Sequence, residues 1–79
     1  MKETDHKKEH EMIGLRIAYY RKMKKMTQKD VADKFEVDYT HISKIERAVV
    51  GVSIDTLLDL AEIIGVPAYK FLDFSDLIE

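Results

Sequence analysis

Apolar residues along this chain recur every three or four positions, and wherever the recurrence lapses a residue suited to capping a helix stands in the gap. Ile13, Ile17 and Tyr20, with Met23 close by, predict a first helix from Glu11 to Lys24. Thr27-Gln28-Lys29-Asp30 reads as the next start, with Thr27 as cap and Asp30 three places on completing a capping box. Val31, Ala32 and Phe35 give that second helix its buried stripe, and it ends near Lys34 or Phe35. Asp38 then opens a third helix, its carboxylate suited to the free amides and positive dipole end of the next turn. A fourth runs from Ile54 to Ile64, turns Leu57, Leu58, Ala61 and Ile64 inward and stops at Gly65. Pro67 suits the first turn of a short fifth, through Leu72. No stretch alternates as a strand does, so the expected fold is all-α.

The three internal starts share one design. An apolar residue precedes each cap and another follows four places after it: Met26 and Val31 around Thr27, Val37 and Ile42 around Asp38, Val52 and Leu57 around Ser53. This is the hydrophobic staple, which fixes the angle at which the chain enters a helix. It explains how the stretch KFEVDY, with neither glycine nor proline, breaks one helix and begins another. Two short helices joined by about three residues cross steeply, as in a helix-turn-helix. Val31, Ala32, Val37, Ile42 and Ile45 make the internal contact, and Ala32 is small where the helices approach. Tyr39, Thr40, Lys44 and Arg47 then point outward, with His41 and Ser43 at the flanks. Such a face fits the major groove of DNA, where the N-terminal residues of a helix meet base edges.

Charge changes the picture, because the overall net charge of −2 hides a division. Residues 12–47 carry nine Lys or Arg against five Asp or Glu, while residues 48–79 carry one against six. A basic half joined to an acidic half suits a polyanion on one side and a different contact on the other; chance sorting of surface charge is the plain alternative. A chain of 79 residues fits one small domain. It divides into a charged N-terminal extension (1–10), a helix-turn-helix domain (11–72) and a short C-terminal tail (73–79). There are no cysteines, no apolar run of membrane-spanning length and no apolar core within the first ten residues. The expected location is cytoplasmic.

From Ile13 to Leu72 the chain resembles the Cro/CI-type (Xre-like) helix-turn-helix regulators. The likeness rests on Ile13-Gly14 with Ile17 and Arg21, Thr27-Gln28 before Val31-Ala32, and Ile42 through Ile45-Glu46-Arg47. Ser53, Thr56-Leu57, Ala61 and Gly65-Val66-Pro67 follow in order. The resemblance implies a compact five-helix, lambda-repressor-like domain that binds double-stranded operator DNA as a homodimer. It implies base reading by Tyr39, Thr40 and Lys44, and backbone contacts by Thr27, Gln28, His41, Ser43 and Arg47. Arg21 would pair with Glu46 for structural reasons, and Ile63, Val66, Ala68 and Tyr69 would meet a second copy. No catalysis, cofactor, metal or small-molecule ligand is implied. Three positions depart from the pattern: Glu36 where the turn usually has glycine, Ala48 where glycine usually follows Glu-Arg, and Val49-Val50 in place of a basic or polar loop.

Other readings compete at several points. His6-Lys7-Lys8-Glu9-His10 matches H-x-x-E-H, in which paired histidines hold zinc and glutamate activates water; it lies in a highly charged terminus and reads better as a solvated segment. Tyr39, His41 and Lys44 each have a plain reading as surface residues. Met12, Leu15 and Tyr19 form a second apolar stripe, to be covered by Phe74, Leu77 and Ile78 or by a partner. From another class, the chain could be a protein-interaction module, or an antitoxin-like partner, that keeps the fold without reading DNA.

Overall fold

A computed structural model describes residues 6–75. Four α-helices follow one another, α1 (Lys7–Met23), α2 (Gln28–Phe35), α3 (Tyr39–Glu46) and α4 (Ile54–Ile64), and a 3-10 turn, Ala68–Phe71, closes the bundle. The fold is all-α, and there is no strand among the described residues. The expected fifth helix is reduced to that turn. Lys70 donates to Pro67 O at 3.1 Å and Leu72 to Tyr69 O at 3.0 Å, the tight pattern that short pieces adopt. Pro67 stands before the turn as its cap.

At its front end α1 departs from expectation, starting at Lys7 where the apolar pattern placed Glu11. Its extra turn carries no apolar residue and so leaves no periodic signal. His10 within it reaches the loop after α3, its ring Cε1 lying 3.7 Å from where a Cβ on Gly51 would stand.

The core is built from Ile17 of α1, Val31 and Ala32 of α2, Ile42 and Ile45 of α3, and Leu57, Leu60, Ala61 and Ile64 of α4, with Phe71 sealed beneath them. Two expectations change here. Leu58 is 51% exposed, and Leu60 takes the inward place. Positions 57, 60, 61 and 64 share one stripe of a helix, and 58 sits at its edge. Met23 is likewise exposed, past the last inward position of α1. Of the proposed tail, Phe74 is half-buried, while Leu15 and Tyr19 are exposed; Leu77 and Ile78 lie outside the described residues.

One closure ends all four α-helices. A residue at positive φ follows each: Lys25 (60°), Glu36 (62°), Ala48 (59°) and Gly65 (86°). The next residue then donates its amide back over the last turn. Met26 reaches Arg21 O, Val37 reaches Ala32 O, Val49 reaches Lys44 O and Val66 reaches Ala61 O, all at 2.9–3.0 Å. These bonds satisfy carbonyls that the helix leaves open. Only the last closure uses glycine, so the left-handed conformation costs about 1–2 kcal/mol at each of the others. Met26 and Val37 offset part of that cost. Each is the residue after one closure and before the next cap, and both pack against the core.

Gly14 makes the crossing of α1 and α3 possible. A Cβ there would fall inside van der Waals contact with the backbone carbonyl of Glu46 and 2.9 Å from Ile45 O. These are backbone atoms near the end of a packed helix and have little room to move. Gly14→Ala should therefore lower stability by about 2 kcal/mol, the middle of the range for an overpacked core, read as a lower urea midpoint. An unchanged midpoint would mean the helices can part at no cost.

Candidate nucleic-acid interface

The interface begins with an ion pair at its back. Arg21 and Glu46 are 6% and 9% exposed and meet side by side. Arg21 Nε donates to Glu46 Oε2 at 2.6 Å and its NH2 nitrogen to Oε1 at 3.0 Å. The remaining fork of the guanidinium donates to Met26 O at 2.8 Å, in the α1–α2 turn. Such two-pronged pairing fixes direction as well as distance. Arg21 lies two turns along α1 from Gly14 on the same face, so α1 holds Glu46 by its backbone and by its side chain.

With Ile42, Ile45 and Glu46 buried, α3 has only one face left for solvent. Tyr39 (55% exposed), Thr40, His41, Lys44 and Arg47 stand on it, and Ser43 is half-buried. Two of these residues are already tied down. The Thr40 amide and hydroxyl both donate to Asp38 Oδ1, at 2.9 and 2.8 Å. Its hydroxyl proton is thereby committed, and the oxygen remains an acceptor. Arg47 Nε donates to Ser43 Oγ at 3.2 Å, which leans the guanidinium back along the helix.

Beside α3 lies the start of α2, where the capping box is complete. Asp30 N donates to Thr27 Oγ1 at 3.0 Å and Thr27 N to Asp30 Oδ2 at 2.8 Å. The next amides, of Gln28 and Lys29, have no carbonyl behind them within the helix. Gln28 Nε2 donates to Glu46 Oε1 at 3.0 Å, a link that the sequence pattern did not reveal. Eighteen positions separate the two residues, and only the crossing of the helices brings them together.

The residues expected at a subunit interface are less uniform. Ile63, Val66 and Ala68 are half-buried against the core, and Tyr69 is 63% exposed. Ile54, Leu58 and Leu72 add exposed apolar surface on α4 and after the 3-10 turn. Among the described residues no three His, Cys, Asp or Glu stand together in a way that could hold a metal ion, His6, Glu9 and His10 included. No helix there is long and apolar enough to cross a membrane.

A helix-turn-helix family model matches residues 17–71. The chain belongs to that helix-turn-helix family. Among solved structures, the restriction-modification controller protein C.AhdI from Aeromonas hydrophila superposes with a TM-score of 0.73 at 23% identity, over 77% of this chain and 92% of its own. A hypothetical transcription factor from Neisseria, NHTF, gives 0.78 at 22% identity, over 92% and 84%. At such identities the likeness is one of fold. No curated protein matches the sequence.

The caps of this helix-turn-helix carry a pH signature. Bonds from the Thr40 amide and then its hydroxyl hold the Asp38 carboxyl below its ordinary value of 3.8, and the Thr27 amide and hydroxyl do the same for Asp30. A carboxyl whose pKa falls on folding adds stability that is present above its unfolded value and lost as pH falls through the folded one. Asp38→Ala should therefore unfold at lower urea than the parent at neutral pH, and the gap should narrow below about pH 3.8. Asp38→Asn, which keeps an acceptor but does not titrate, should fall between them at neutral pH. A gap that widens in acid would contradict the assignment.

Proposed function

We propose that this chain is a sequence-specific, double-stranded DNA-binding transcriptional regulator that acts as a homodimer on a two-fold operator. The observation that carries the reading is the single solvent face of α3. It bears Tyr39, Thr40 and Lys44 and is braced from behind by the buried Arg21–Glu46 pair. Inserted in the major groove, Lys44 donates to an acceptor such as guanine O6 or N7, and Tyr39 stacks or donates at the leading end of the helix. Thr40 contributes its free acceptor or its methyl group. Gln28, with Thr27 and the first amides of α2, meets the sugar–phosphate backbone, as do His41, Ser43 and Arg47. The surface of Ile63, Val66, Ala68 and Tyr69, widened by Leu58 and Leu72, joins two copies. Their recognition helices then lie about 34 Å apart, one turn of DNA. The acidic residues of α4 (Asp55, Asp59 and Glu62), all exposed, face away from the phosphates.

A second reading has one observation in its favour. The loop after α3 presents Val49, 59% exposed, and Val50 where a phosphate-binding loop would carry donors. A module that only binds protein shows negligible affinity for duplex DNA even at low salt. A regulator loses affinity steeply as salt rises, because neutralised phosphates release counterions. On a site selected from random duplexes, Lys44→Ala should relax preference at one base position and cost about 1–3 kcal/mol. An equal loss on every sequence would move Lys44 to the backbone contacts, and a flat salt titration would favour the protein-binding module.

A further inference from the structure

Glu46 is more than a partner for Arg21. Its Oε1 accepts from two residues, the Arg21 NH2 nitrogen at 3.0 Å and Gln28 Nε2 at 3.0 Å. An ionised carboxylate only accepts, so the Gln28 amide must turn its nitrogen toward Glu46 and its carbonyl away. Of the two hydrogens on that nitrogen, one is used on Glu46 and the other is left to donate. Gln28 is the first residue of α2, half-buried, next to the two amides at the head of that helix that have no acceptor within it. A glutamine at a helix start is ordinarily a flexible side chain that must be ordered when a ligand arrives. Here a buried carboxylate, itself fixed by a guanidinium, has already ordered it.

We propose that Glu46 is a positioning residue for DNA-backbone binding, holding the Gln28 amide so that its second hydrogen is aimed at a phosphate oxygen. The inference rests on the reading of the α2 start as a backbone contact and deepens it. One carboxylate from the helix that reads bases thereby sets the geometry of the contact that fixes how far that helix enters the groove. Preordering lowers the entropy lost on binding. Because the donor is neutral, the contact adds affinity without adding a released counterion.

The test uses the full chain and a mixed-sequence duplex at low salt, with a selected site as a second ligand. Gln28→Asn keeps an amide at the helix start but is one methylene too short to touch Glu46 and a phosphate together. It should lose affinity as far as Gln28→Ala does, roughly tenfold, as expected for a hydrogen bond to a charged group. The loss should be equal on both duplexes, with the slope of affinity against salt unchanged. A tilt of α3 would instead alter base preference. In the unmutated protein, one Gln28 side-chain amide proton should exchange slowly with water, and the other should shift on adding duplex. If Gln28→Asn or Gln28→Ala binds like the parent, or both amide protons exchange as a solvated glutamine's do, the proposal is overturned while the regulator reading stands. If the parent binds no duplex at any salt, both fall together.

Discussion

A guanidinium and a carboxylate, withdrawn from water between the first and third helices, set the geometry of this small protein. Neither charge tolerates burial alone, since removing one partner of such a pair commonly costs about 3–5 kcal/mol. The pair therefore admits few arrangements of the helices that carry it. Arg21 satisfies both carboxylate oxygens and the Met26 carbonyl at the end of the α1–α2 turn. Gly14 brings the same helix against the backbone of the same glutamate. Each contact alone would permit α3 to roll or slide. Together they leave one orientation, in which Tyr39, Thr40, His41, Lys44 and Arg47 face solvent.

That orientation also depends on abrupt helix ends. Helices of eight residues are too short to persist on propensity alone, and here each is bounded on both sides by hydrogen bonds. A left-handed residue and a bond back over the last turn close α2, and Asp38 opens α3 within three residues of that closure. Val37 serves both events. The strain at Lys25, Glu36 and Ala48 is the counterpart of these abrupt endings, because each of those helices closes on a left-handed residue that is not glycine.

How much of this could be read in the sequence follows from where the information lies. Helix starts were legible at Thr27, Asp38 and Ser53, because a cap and its flanking apolar pair are local and leave a pattern a few residues long. The start of α4 at Ile54 and its end at Gly65 agree with that reading. Ends were less legible, since Lys25 and Ala48 take a conformation that their side chains do not advertise. The first turn of α1 was invisible for want of an apolar residue. Leucine stands at both 58 and 60, so hydropathy alone does not tell that 60 belongs to the inward stripe and 58 lies at its edge. For the candidate interface, helical spacing was enough to separate the outward residues of α3 from Ile42 and Ile45. The Gln28–Glu46 bond, the two-pronged geometry of Arg21 and the approach at Gly14 depend on packing between distant segments, which no local pattern encodes.

A single braced face, made from the start of α2 and the exposed side of α3, is the surface proposed to meet DNA. That role is tested most directly by adding a mixed-sequence duplex at low salt to isotope-labelled protein and following backbone amide resonances. Shifts should concentrate at Gln28, Lys29 and the stretch from Tyr39 to Arg47, with Asp55, Asp59 and Glu62 on α4 unmoved. Shifts centred on that acidic helix, or a spectrum that does not change, would contradict it.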